Sequence, residues 1–206
     1  MTRSRGFWNL FAKHYAKQAV GDQPSYEYKL AQTQALMHPD MSVFEFGCGT
    51  GTTALIHAPY VASIDAIDYS PKMIEIAKGK RRDVKNVTFA ESTLDDWSAP
   101  DGSYDMVLGM SILHLVPDPQ AAIRRAYSLL KPGGYFITST VCLGDLGGVV
   151  KWLLPIGSTL RLIPNLVHFS GAELEKNMTD AGFAIQQSWR PPHGGDSVFH
   201  ICQKPA

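Results

Sequence analysis

With 206 residues, 45% of them apolar, the chain can bury a substantial core, and its length points to one domain. Nineteen Lys and Arg balance nineteen Asp and Glu without any basic run, which excludes a surface built in bulk to neutralise nucleic-acid phosphates; nor is there an apolar stretch of about 18 to 20 residues to span a bilayer. Cys48, Cys142 and Cys202 lie far apart without CxxC spacing, so neither a zinc site nor a disulfide framework is indicated, and a reducing, cytoplasmic setting is expected.

Phe7, Leu10, Phe11, His14 and Tyr15 recur at three- and four-residue spacing with Lys13 and Lys17 off that stripe, which predicts an amphipathic helix ended by Gly21 and Pro24. Arg3 and Arg5 stand before it, but Asn9, Lys13 and His14 interrupt its apolar residues too early for a signal peptide. A second helix is expected over 25–37, closed by Pro39.

The stretch SVFEFGCGTGTTALIHAPYVASIDAID, 42–68, reads as strand, tight loop, short helix and strand. Glycine is needed where the backbone takes positive φ or passes close to a ligand, so Gly47, Gly49 and Gly51 suggest a nucleotide-sized guest, where a plain strand-to-helix turn is the simpler alternative. Asp68, 17 positions after Gly51 and at the tip of the next strand, stands where an open α/β sheet offers a carboxylate to a ribose diol. A dinucleotide loop wants GxGxxG, yet Thr52 occupies the third glycine position, and Glu45 at the loop mouth would repel a pyrophosphate. No Lys or Arg occurs over 41–71 to offset that repulsion, whereas an ammonium and a sulfonium would be favoured there. S-adenosylmethionine carries both.

Ser70 as N-cap and Pro71 as first helical residue predict a helix over 71–80 with Met73, Ile74 and Ala77 inward. A third strand is expected at 86–90. The almost wholly apolar run 104–109 reads as a central strand covered on both faces, with Gly109, Met110 and Ser111 at its crevice end and His114 about one turn on. Pro117 and Pro119 precede a helix at 120–130, KPGG turns the chain, and 135–141 forms the fifth strand. The apolar but Gly- and Pro-interrupted segment 143–169 reads as two short helices about Pro155 and Gly157, serving either as a lid over a ligand pocket or as an ordinary core pair. Ser170 then caps a helix to Asp180, Gly182 stops it, and strands at 183–189 and 197–203 finish the sheet.

EFGCGTG at 45–51, AIDYSPKMIEIAK at 66–78, SYDMVLGMSILHLV at 103–116 and LLKPGGYF at 129–136 resemble, in order, the motifs of class I S-adenosylmethionine-dependent methyltransferases of the methyltransferase-11 or UbiE-like type. The resemblance is close over roughly 40–140 and looser at AGFAIQQSW. It implies a Rossmann-like α/β fold whose seven-stranded, mostly parallel sheet carries helices on both faces. It also divides a single domain into an N-terminal helical cap (1–40), a cofactor-binding core (41–142), a lid (143–169) and a C-terminal helix with strands (170–206). By the same resemblance Glu45, Gly47, Cys48, Gly49 and Gly51 surround the methionine part of S-adenosylmethionine, and Asp68 takes the ribose, with Tyr69 and Met73 close behind it. Where many relatives place an adenine-binding Asp, this chain has Thr93, so Thr93 and the backbone of Leu94 are expected at the adenine. Gly109 and Met110 close the cofactor site, and Tyr15 and Lys29 reach it from the N-terminal helices.

Methyl transfer from a sulfonium is an in-line displacement in which the protein mainly aligns donor and acceptor and excludes water. A general base matters only for a protonated acceptor. His114 is the candidate, with structural packing as the plainer role. The acceptor is expected to be a small apolar molecule, with S-adenosylhomocysteine as by-product, held by Phe11, His14, Ser111, Trp152 and His168. No metal or nucleic acid is expected. Contact with a membrane surface is compatible with the apolar lid, and nothing in the sequence fixes an oligomeric state. A cofactor-binding regulatory protein without transferase activity, a lipid or protein methyltransferase, and a nicotinamide oxidoreductase disfavoured by Thr52 and Glu45 are the alternatives.

Overall fold

A computed structural model describes residues 2–145, 166–192 and 197–206. Two helices, α1 (Thr2–Tyr15) and α2 (Gln23–Gln34), precede β1 (Ser42–Phe46), α3 (Thr52–His57), β2 (Ser63–Asp68), α4 (Pro71–Lys80) and β3 (Val87–Glu91). Then come β4 (Tyr104–Met110), α5 (Pro119–Leu129), β5 (Leu130–Val141), α6 (Gly171–Asp180), β6 (Ala184–Trp189) and β7 (Ser197–Gln203). The seven strands form one sheet in the order β3-β2-β1-β4-β5-β7-β6. The first five are mutually parallel, and β7 runs antiparallel to both neighbours.

The order reverses direction between β1 and β4, which leaves a crevice beyond the carboxyl ends of those two strands. Both strands are buried over nearly their whole length, as their continuous apolar runs require. Alternation sends Phe44, Phe46, Val107 and Phe136 to one face, under α5 and α6. Val43, Met106, Leu108 and Ile137 go to the other, with Ala54 of α3 and Ile74 and Ala77 of α4. Phe44, Phe46, Phe136 and Phe183 stack in a file along the first face, with ring centroids 5.5 to 6.4 Å apart, so the floor of the crevice is rigid.

Local capping fixes where the helices begin. Ser70 accepts the Met73 N–H at 3.3 Å, Asp118 accepts that of Ala121 at 2.9 Å, and Ser170 with Glu173 completes a capping box. Several boundaries differ from the sequence expectation, with α1 ending at Tyr15, well before Gly21, and α2 at Gln34. Pro24 sits in the first turn of α2 behind the Asp22 cap, where its missing N–H costs nothing, so it starts that helix, and α1 has already ended at Tyr15. The KPGG run belongs to β5, which begins at Leu130 and absorbs a register shift between Tyr104 and Met106 of β4. Most of the predicted lid, with its two short helices and Trp152, lies outside the described residues.

Candidate functional site

The loop from β1 into α3 is shaped by three glycines at φ +68, +54 and +73. Their roles differ. A Cβ on Gly47 would meet Ile112 Cγ1 at 2.5 Å, and one on Gly51 would meet Phe89 Cζ at 2.6 Å and Ala77 Cβ at 2.8 Å, whereas one on Gly49 would stand in the open, 3.7 Å from Tyr15 Cε1. Gly49 thus faces the crevice, and Gly47 lines it beside Ile112. Gly51, expected at the ligand, is instead buried packing and the left-handed N-cap of α3.

The Gly49 N–H donates to Asp68 Oδ2 at 3.0 Å and the Ser70 N–H to Oδ1 at 2.8 Å. Strand β2 and the loop thereby lock the carboxylate at the crevice, and a carboxylate with about four acceptor positions retains two for a ligand. Glu45 lies below, only 2% exposed, and among the described residues its Oε2 has no hydrogen-bond partner. Burial, and then the charge of Asp68, pushes the Glu45 carboxyl up to about 8. Burial raises Asp68 too, against the lowering effect of its two backbone donors. An unpartnered buried acid next to a second acid is costly by itself and is relieved by a cation.

Two cavities occupy the crevice and adjoin each other across Gly47, Tyr69, Ile112 and Leu115, which line both. The larger, about 230 Å³, has walls of Phe46, Ile67, Leu94, Val116 and Ala122, with Ser92, Thr93, Asp95 and Asp118 at its edge. The smaller, about 60 Å³, is bounded by Asp68, Gly49, Met73, Met110 and Ser111, and α1 covers it with Trp8 and Tyr15. Ser111 holds a left-handed φ of +56, its N–H donating to Ser139 O at 2.7 Å; a serine kept in that uncommon conformation turns the chain at the end of β4 into the cavity wall. Tyr15 has a raised pKa, first through burial and then through the charges of Asp68, Tyr26 and Glu45, which puts its phenol in the field of the two acids.

The remaining expected residues fall elsewhere. Cys48 and Gly109 are buried behind the cavities: the Cys48 thiol, pushed well above its usual range by burial, is no nucleophile, and a Cβ on Gly109 would strike Phe46 at 2.7 Å. Lys29 lines neither cavity; its Nζ donates to Ser139 Oγ at 3.3 Å, and burial lowers its pKa. Phe11 and His14 point outward from α1, because the helix turns its other side to the sheet, and His168 is exposed. His114, expected as a base, lines neither cavity either. Its ring is largely buried, its Nδ1 has no partner among the described residues, and burial holds its pKa down to about 4. Sequence reasoning missed Ile112, Leu115, Val116 and Asp118. The signal was an apolar run after a central strand, in which only the histidine stood out.

Among the described residues no three His, Cys, Asp or Glu side chains gather in a way that could hold a metal ion. The three cysteines are buried. His57 and His200 are buried as well, while His38 stands at the surface 3.6 Å from Asp40.

Comparison with known proteins shows the family and the fold. A methyltransferase-domain family matches residues 23–188. A ubiquinone biosynthesis O-methyltransferase of Xanthomonas euvesicatoria is 37% identical over 153 residues; the match takes in 70% of this chain and 63% of that protein, so the chain spans less than two thirds of this relative's length. Two solved structures share the fold. The YcgJ protein of Bacillus subtilis has a TM-score of 0.71 at 20% identity, over 87% of this chain and 99% of its own. An S-adenosylmethionine-dependent methyltransferase from Mesorhizobium loti has a TM-score of 0.70 at 17% identity, over 86% and 97%.

Proposed function

The chain belongs to the methyltransferase-domain family, and from that premise we propose that it binds S-adenosylmethionine in the crevice and passes its methyl group to a small, largely apolar acceptor. The observation that carries the reading is the pair of carboxyls: Asp68, pinned by two backbone donors with acceptor positions to spare, and Glu45, buried with an orphaned oxygen. The pair suits a ligand with a ribose diol and a positive charge. It suits a pyrophosphate badly, since among the described residues no cation lines either cavity.

In this reading the apolar cavity with Thr93 and the Leu94 backbone takes the adenine, Asp68 orients the ribose, and Gly49 leaves room for the methionine part. When bound, the cofactor supplies a methyl group on an activated leaving group, so no covalent protein intermediate is required. Tyr15 and Trp8 of α1 exclude water from above, Met73, Met110 and Ser111 fix the rim, and alignment of the two reactants lowers the barrier. The name of the Xanthomonas relative supports oxygen as the atom methylated and an apolar quinone-like ring as the acceptor class. His114, set behind the rim, has no part in the transfer.

Incubation with methyl-labelled S-adenosylmethionine and a panel of lipophilic hydroxylated aromatics tests the proposal. Label should appear in an extractable product, with S-adenosylhomocysteine formed in equal amount. Tight S-adenosylhomocysteine binding with no labelled product across the panel would favour a binding protein that transfers nothing.

A further inference from the structure

We propose that α1 docks the protein on an anionic membrane surface through its outward face while its inward face covers the crevice. The two faces are chemically distinct. Inward, Asn9 Oδ1 accepts from Ser70 Oγ at 2.7 Å, Arg5 pairs with Glu91 at the end of β3, Ala12 is buried, and Trp8 and Tyr15 line the small cavity. Five, eight, nine, twelve and fifteen fall on one stripe of a helix. Outward lie Leu10, Phe11 and His14, with Leu10 80% exposed and the half-buried Phe7 stacked on Phe11 at 4.5 Å between centroids. Of the large apolar side chains most exposed among the described residues, Leu10 and Phe11 lie on this outward face and Val20 follows the helix. Apolar side chains so exposed on one short element mark a surface that meets something less polar than water.

Charge selects the partner. Residues 1–21 carry four of the nineteen cations, Arg3, Arg5, Lys13 and Lys17, and none of the nineteen acids, although the whole chain is neutral. Lys13 and Lys17 are exposed and flank the apolar stripe. Glu75, the acid whose field Lys13 shares, is already paired to Lys72 at 2.6 Å. An apolar stripe edged by lysines fits an anionic lipid surface, where the rings and Leu10 enter the interface and the ammonium groups meet phosphates. A second copy of this chain would bring like charges together along the same stripe. Among the described residues no helix is long and apolar enough to cross a membrane, so the attachment is peripheral.

The test is co-sedimentation of the full chain with vesicles and needs neither cofactor nor acceptor, so its outcome is independent of the methyl-transfer reading. The chain should partition onto phosphatidylglycerol-containing vesicles, pass over pure phosphatidylcholine, and be released by high salt. Leu10→Asp, and separately Lys13→Glu with Lys17→Glu, should each weaken partitioning by about tenfold or more while the thermal midpoint stays within about two degrees. Three results would overturn the proposal: no binding to anionic vesicles, binding that Leu10→Asp leaves unchanged, or a Leu10-dependent self-association without vesicle binding.

Discussion

Asp68 does two jobs that are separable by substitution. Its oxygens accept from Gly49 and Ser70, and its spare acceptor positions face the small cavity. In Asp68→Asn one oxygen becomes an NH2, so one backbone donor loses its acceptor whichever way the amide turns, and the negative charge disappears from the rim. A hydrogen bond to a charged group is worth about 1.5 to 3 kcal/mol, so S-adenosylhomocysteine affinity should fall about 10- to 150-fold by calorimetry. Unchanged affinity would remove Asp68 from the ligand. Ser92 and Thr93 are more modest: the Thr93 hydroxyl already donates to Asp96 Oδ2 at 2.7 Å and accepts the Asp96 N–H at 3.1 Å, which leaves one acceptor position on its oxygen.

Among the elements, the glycine loop gives the sharpest contrast. Gly51→Ala combines a left-handed φ with a Cβ driven into Phe89 and Ala77, two buried neighbours. Backbone strain of about 1 to 2 kcal/mol and overpacking of about 1 to 3 kcal/mol should lower the denaturant midpoint clearly. Gly49→Ala meets nothing closer than 3.7 Å and suffers the backbone strain alone, but its methyl stands in the cavity. It should therefore lose much less stability and much more S-adenosylhomocysteine affinity. Equal stability losses in the two variants would contradict this division. Ser170→Ala, which breaks the capping box of α6 far from the crevice, should cost about 1 kcal/mol and about 2 to 4 degrees of thermal midpoint without changing binding.

These elements also show what a linear reading can reach. Ser70 and Pro71 announced α4 and Ser170 announced α6, because caps act between residues three apart in sequence. The seven-stranded, mostly parallel sheet followed from the motifs, whereas the order of its strands came only with the structure. What could not be read was direction within a pattern: the three glycines look alike until Phe89, Ala77, Ile112 and Tyr15 arrive from distant segments. The same holds for α1, whose apolar residues predicted a helix but not which of them would face the sheet. Trp8 and Tyr15 line the crevice, while Phe11 and His14, expected at the acceptor, face away from it.

For the molecule as a whole, buried ionisable groups set opposed slopes on stability against pH. Glu45 has a folded pKa raised from about 4.5 to about 8, so between those values the folded state holds a proton that the unfolded state has released. Stability then falls as pH rises, at up to about 1.4 kcal/mol per pH unit, and Asp68, also raised, adds to the fall from about 3.8 upward. The histidines act the other way. Burial holds His57 and His114 down to about 4, and lowers His200 despite its contact with Glu175 at 3.1 Å, so each takes up a proton on unfolding below about 6.5. Their contribution rises with pH and is complete above 6.5. The two histidines held near 4 together outweigh Glu45 below that point, and Glu45 dominates above it. The thermal midpoint without ligand should therefore pass through a maximum near pH 6.5 and decline toward pH 8, and Glu45→Gln, which keeps the shape but cannot ionise, should flatten the decline. A ligand that brings a positive charge to the crevice favours the ionised Glu45 and should release a proton on binding between pH 6.5 and 8, seen by calorimetry in buffers of different ionisation enthalpy and absent in Glu45→Gln. A midpoint that keeps rising through pH 8, or a decline that survives Glu45→Gln, would place the proton on another group.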